Sequence, residues 1–157
     1  MKEDNVNVSR RFFLKRTSCA LAVVSLGPHL DAQPSTSHVT VKVSGIRNNT
    51  GRVIIGMWNS QDGFPKDRAK AFRQTSVSIL NDMAVATFSE VPYGEYAVAL
   101  FHDENNNGRM DTRFPGIPVE GIGSSNNPHP RFSAPTFSEC RFEVSATKKI
   151  IEIKMLY

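Results

Sequence analysis

Val39, Val41 and Val43 alternate with Thr40, Lys42 and Ser44. That two-residue period puts successive side chains on opposite faces of an extended chain, and it constrains this sequence more than any other feature. It returns near the other end, where Ile151, Ile153 and Met155 oppose Glu152 and Lys154. Seven short runs carry this period or a continuous apolar stretch: His38–Ile46, Arg52–Trp58, Ser76–Leu80, Ala84–Phe88, Gly94–Phe101, Glu139–Ser145 and Lys149–Met155. Short strands so spaced predict an all-β fold, a single seven-stranded antiparallel β-sandwich of immunoglobulin or transthyretin type with one long irregular loop. Arg52–Trp58 is apolar on both faces, as a central strand covered on each side should be.

The punctuation predicts hairpins. Asn48-Asn49-Thr50-Gly51 joins the first two runs, Asn81-Asp82 the third and fourth, and Ala146-Thr147-Lys148 the last two. Pro92-Tyr93-Gly94 marks the entry to the fifth. Only Pro65–Arg73 has helical character, and one short helix is expected there. The span His102–Ser138 carries little strand pattern and many prolines and glycines. Structureless connections of more than about 12–15 residues are uncommon and usually functional, so function is sought in this span.

Residues 1–32 read as an address. Arg10-Arg11 with Ser9, Phe13, Leu14 and Lys15 resembles a twin-arginine export signal, and the short apolar stretch Ala20–Leu26 follows it. Cleavage is expected after Ala32, leaving a periplasmic domain over residues 33–157. The apolar stretch is too short to span a bilayer, which takes about 20 residues. Arg16-Thr17-Ser18 before Cys19 lacks the aliphatic residue of a lipid-anchor site. Removing the segment takes five of 19 Lys/Arg and three of 15 Asp/Glu, leaving 14 and 12 and a net charge of only +2. No basic stripe remains to suggest a nucleic-acid partner. Cys140 is then the one cysteine left. It alternates with Phe142 and Val144, which predicts a buried thiol rather than a nucleophile.

The candidate site is the run His102–Asp111, HDENNNGRMD. Asp103, Asn105, Asn107, Gly108 and Asp111 occupy positions one, three, five, six and nine of an EF-hand-type calcium loop. Side-chain oxygens at alternating positions converge on one point as the chain winds round it, and hard oxygen donors suit calcium. The expected metal ligands are therefore Asp103, Asn105, Asn107 and Asp111, with Glu120 or Glu104 completing or bracing the shell. Phe114 stands at position twelve, where an EF-hand has its bidentate Glu, and no helical pattern flanks the loop, so the expected site is of the looser extracellular kind. Asn and Asp also make turns by bonding their own backbone, with Gly108 left-handed, so a metal-free turn is the alternative.

Other chemistry is sparse. His38, His102 and His129 form no close metal pair. His102 beside Asp103 has the elements of a carboxylate-held base, against the commoner part-buried strand-end histidine. Ser124 and Ser125 lack a nucleophile-elbow motif. Asp103, Asp111 and Glu120 contain the makings of a glycosidase pair, with no groove signature beside them. Trp58, Phe64, Phe72 and Tyr93 are either a binding surface or core.

Two stretches, VPYGEYAVALFHDENNNGRMD (Val91–Asp111) and FPGIPVEGIGSSNN (Phe114–Asn127), with Pro135-Thr136-Phe137 and a closing strand beyond, resemble a family of small secreted bacterial proteins. That family is the domain of unknown function numbered twenty-one forty-one. The resemblance covers Val39–Tyr157; the chain departs at Ile122, where an aromatic is common, and at Ser124, where Phe is expected. It implies an exported prealbumin-like β-sandwich with no established activity. The Tyr93–Val98 segment is also similar to transthyretin-like and adhesin-repeat domains that bind or space rather than catalyse. The expectation is a non-enzymatic binding or accessory module whose partner is a protein or a small ligand, with calcium the one cofactor considered. The alternatives are a small periplasmic hydrolase using His102 and the loop acids, and a structural spacer.

Overall fold

The computed structural model describes residues 35–129 and 133–157; the export signal expected over residues 1–32 lies outside them. The fold is all-β, as expected. Among the described residues there are ten strands, in two main sheets. The smaller sheet holds β1 (Thr36–Ser44), β4 (Ala84–Pro92) and β10 (Lys148–Lys154), ordered β10-β1-β4. The larger holds β2 (Arg52–Trp58), β3 (Arg73–Val77), β5 (Gly94–Asp103) and β8 (Ile122–Ser124), ordered β3-β2-β5-β8. Strand β9 (Phe142–Val144) pairs with the start of β5, below the stretch that takes β8. A two-residue pair, β6 (Thr112–Arg113) and β7 (Ile117–Pro118), forms a small hairpin of its own.

The sheets share one core because each presents its apolar period-2 face. Val39, Val41, Val43, Ile151 and Ile153 come from the smaller sheet, and Val53, Ile55, Met57, Val98 and Leu100 from the larger. Strand β2 is buried on its second face too, as its composition predicts: Ile54 and Trp58 lie there with Ala97 and Phe101 of β5. That layer is covered by the 59–72 connection and by helix α1 (Phe137–Cys140), where Trp58, Phe64 and Phe137 meet edge to face at ring-centroid distances of 5.3 and 5.9 Å.

Four expectations need correction. The sandwich is not wholly antiparallel, for β1 and β10 run parallel, with Val41 beside Ile151 and Val43 beside Ile153. They are the first and last of the described strands, and nothing local in either fixes its direction relative to the other. The three expected hairpins are crossings between sheets, because β1 and β2, β3 and β4, and β9 and β10 each belong to different sheets. The Asn81-Asp82 turn does exist, at φ of 53° and 58° with Leu80 and Met83 bridged across it, but it links sheets rather than neighbouring strands. Third, β3 is Arg73–Val77 rather than Ser76–Leu80, its register set by β2 through Val53–Val77 to Met57–Arg73. Lastly, Pro65–Arg73 is no α-helix; it holds one 3-10 turn, Arg68–Lys70, capped by Asp67. A lone turn does not repay helix nucleation, and this segment instead follows the surface it covers, with Trp58 Nε1 donating to Asp67 O.

The span His102–Ser138 is less irregular than expected, since it contains β6, β7, β8 and the start of α1. Helix α1 displaces the expected strand over Glu139–Cys140. Its signal was present as Thr136-x-x-Glu139, a capping box in which each side chain bonds the other's backbone N–H.

Candidate functional site

The site is built at the end of β5, where the last two residues, His102 and Asp103, are fully buried. Asp103 carries a charge into that position and is matched by three donors. Its Oδ1 accepts from Asn107 N at 3.0 Å, and its Oδ2 accepts from Gly108 N and Arg52 Nε, both at 3.0 Å. The chain then winds through two Asx turns: Asn105 Oδ1 accepts from Asn107 N at 3.0 Å and Asn107 Oδ1 from Arg109 N at 2.7 Å. Gly108 closes the turn at φ 76°, in the left-handed region where a residue with no Cβ is unstrained.

The four expected metal ligands are brought together. Asn105 Nδ2 and Asn107 Nδ2 donate to the two oxygens of Asp111 at 2.7 and 3.0 Å, while Asp103 holds the same turn from beneath. Glu120 braces the loop. It is 5 % exposed, and its Oε1 accepts from Glu104 N and its Oε2 from Asp111 N, each at 3.0 Å. One buried carboxylate thus ties the start of the loop to its end. Among the described residues no group of three or more His, Cys, Asp or Glu side chains is placed to hold a metal. The expected shell contains only two carboxylates, Asp103 and Asp111, and the first already accepts three hydrogen bonds.

Glu104, the other candidate to complete the shell, turns away from the loop. It ion-pairs with Arg47 and accepts from Asn48 Nδ2 at 3.2 Å. Burial pushes its carboxyl up, but the hydrogen bonds from Asn48 and Arg47 and the charges of Arg47 and His102 outweigh that and hold it below its ordinary value. His102 lies under the loop with both ring nitrogens engaged: Nε2 donates to Thr50 O at 2.7 Å, and Nδ1 shares a hydrogen bond of 2.7 Å with the Tyr157 hydroxyl. Thr50 O can only accept, which fixes the proton on Nε2. Gly51 lies against the same corner, its φ +70° and its backbone pressed onto Asp103 O.

The remaining sequence candidates are structural. Ser125 is fully buried and bonds Val98 N and Cys140 O. Trp58 is buried, Phe72 packs against the core between the sheets, and Cys140 is fully buried as expected, though in helix α1 rather than on the expected strand. His38 and His129 are exposed and distant in chain from the loop.

Two features had no sequence signal. Arg52 on β2 and Arg68 in the 59–72 connection both reach the loop, Arg52 through Asp103 and Arg68 by donating Nη2 to Gly108 O at 2.7 Å. Their partners lie 51 and 40 positions away, beyond any local motif. The β6–β7 hairpin carries Phe114, 93 % exposed, and Ile117, 60 % exposed. Phe114 drew notice in sequence as the misfit at position twelve and as the first residue of the family-like stretch Phe114–Asn127, neither of which marks it as exposed.

Among the described residues no helix is long and apolar enough to cross a membrane. No curated protein and no solved structure matches the chain. Residues 41–152, which include most of both main sheets and the whole braced loop, match the family described as an uncharacterized protein conserved in bacteria (DUF2141), and the chain belongs to that family.

Proposed function

We propose that the chain is an exported, non-enzymatic β-sandwich of transthyretin type that serves in the periplasm as a binding or accessory module, recognising its partner through the loop-bearing end. One observation carries the reading: the buried acids of the loop are employed in holding it. All four oxygens of Asp103 and Glu120 accept hydrogen bonds from loop amides or from Arg52. A hydrolase needs an acid or base within reach of a substrate proton, and His102 is fully buried with both nitrogens engaged. Held in this way, the loop presents Met110, Phe114 and Ile117 as an exposed apolar group of fixed geometry, the kind of anchor that dominates recognition.

Affinity capture from a periplasmic extract tests this, with wild-type and Phe114→Ser/Ile117→Ser baits. A species held by the wild type and lost from the variant is expected. Hydrolysis of ester, peptide or glycoside substrates that disappears in Asp111→Ala would overturn the reading.

A calcium-organised loop is the second reading. It is favoured by Asp111, which has no ion-pair partner among the described residues and meets the carboxamides of Asn105 and Asn107. A cation there would share Asp103 with the Arg52 guanidinium. With a dissociation constant of about 0.1 mM, calcium at about 1 mM stabilises by roughly 1.4 kcal/mol. An unfolding temperature unmoved between calcium and chelator refutes it.

A further inference from the structure

Beside the loop, on the face of β2 and β3 turned away from the main core, lies an open basin of about 320 Å³. That is the lower end of the range for small-molecule sites. The register places its parts. Ile54 pairs with Ser76 and Gly56 with Gln74, so Ile54, Ser76 and Gln74 share this face. Ile54 forms an apolar floor, Gln74 and Ser76 stand exposed at the rim, and Arg52, Arg68 and Gly108 complete the wall.

Both arginines are fixed from behind. Arg52 is held through Nε by the fully buried Asp103. Arg68 is held through Nη2 by Gly108 O, and its guanidinium lies 5.5 Å from the centre of the Phe101 ring. Among the described residues, Nη1 and Nη2 of Arg52 and Nε and Nη1 of Arg68 have no acceptor. Asp103 offsets one of the two charges, and its oxygens are turned to the Asn107 and Gly108 amides and to Arg52 Nε. The nearest other acid in chain, Asp67, turns its Oδ1 back to Ala69 N. Gly108 leaves the wall bare where a Cβ would stand 3.8 Å from Arg52 Nη2.

We propose that this basin binds the oxyanion group, carboxylate or phosphate, of a small molecule. Nη1 and Nη2 of the pre-oriented Arg52 supply planar, paired donors, the geometry that carboxylate and phosphate oxygens match, and the fixed Arg68 guanidinium adds a second charge and further donors. Gln74 and Ser76 supply neutral donors, and Ile54 supplies contact for the ligand's apolar part. Fixing the guanidinium groups in advance removes ordering cost that flexible surface arginines would incur. The proposal rests on the reading of the loop as a prebuilt recognition element and names a ligand class for it.

The test is amide NMR of the mature domain titrated with inorganic phosphate and, separately, with citrate, each against sodium chloride at matched ionic strength. Saturable shifts centred on residues 52, 68, 74, 76 and 108 are expected, stronger for whichever anion the basin prefers. Arg68→Gln should weaken binding roughly tenfold or more, the loss expected on removing a charge-assisted contact. Gln74→Ala/Ser76→Ala, on an exposed strand face that does not support folding, should weaken it severalfold. Absence of saturable shifts with both anions, shifts reproduced by sodium chloride, or shifts unchanged in both variants would overturn the proposal. The basin residues do not overlap Phe114 and Ile117. Anion binding lost with partner capture intact removes the basin alone; capture lost with anion binding intact removes the apolar tip alone.

Discussion

Replacing Glu120 by Gln keeps the shape of the side chain and exchanges one accepting oxygen for an NH2 group. In the native geometry both oxygens face amide N–H groups, those of Glu104 and Asp111. Whichever way the Gln amide turns, one donor then points at another donor. The site is only 5 % exposed, so water does little to relieve the mismatch. The lost charge-assisted hydrogen bond is worth about 1.5–3 kcal/mol, and the second, now neutral, is weakened as well. For a domain of this size about 2 kcal/mol lowers the unfolding temperature by roughly 8 °C. Thermal unfolding followed by circular dichroism measures the total, and hydrogen exchange locates it. The Glu104 and Asp111 amides should lose protection, together with Val119 N, which donates to Asp111 O at 3.0 Å. Amides of the central strand β2 should keep theirs relative to global unfolding. An unfolding temperature within about a degree of wild type, or undiminished protection at residues 104 and 111, would refute the idea that this carboxylate ties the loop shut.

At Gly51 a Cβ would stand 2.0 Å from Asp103 O, in a backbone conformation of φ +70°. Gly51→Ala should therefore cost at least about 2 kcal/mol, read by denaturant unfolding, whereas a neutral substitution would show this corner to be looser than drawn. Cys140 is fully buried, and burial pushes its thiol up from the ordinary value, so a thiol reagent should leave the native protein unmodified and react quickly once it is unfolded. Rapid labelling of the native protein would contradict this packing. Glu104 has its folded pKa below the ordinary carboxylate value, so its contribution is present above that ordinary value and is lost as pH falls through the folded one. Glu104→Gln should accordingly lose less stability than wild type when acidified through that window, and parallel acid limbs would exclude the effect.

What could be read from the sequence was what repeats locally. The strands β1 and β10 announce themselves by a two-residue apolar period, and β2 and β5 by a continuous apolar run, each a property of the strand alone. The Asp103–Asp111 loop was legible for the same reason: its Asx turns and its Gly108 bond within a few residues. What failed depends on distant partners. Turn residues record that the chain reverses but not which sheet it enters, so three crossings read as hairpins. The parallel pairing of β1 with β10 is decided by burying Val41 and Val43 beside Ile151 and Ile153, an event between opposite ends of the domain. The site divides along the same line. Asp103, Asn105, Asn107 and Asp111 were recognisable as one set, and in the fold they are linked by hydrogen bonds, with the Asn105 and Asn107 carboxamide nitrogens on Asp111 and Asp103 on the Asn107 and Gly108 amides. Yet a motif states only what its own side chains offer. It could not state that Arg52 would arrive from the neighbouring strand to take Asp103, which turns the first ligand position of a cation loop into the anchor of a guanidinium. That single long-range pair is the contact on which the proposed anion basin depends. The four loop residues seen in sequence and the two arginines missed by it are joined in the fold, Arg52 through Asp103 and Arg68 through Gly108 O, and no local motif could have announced either contact.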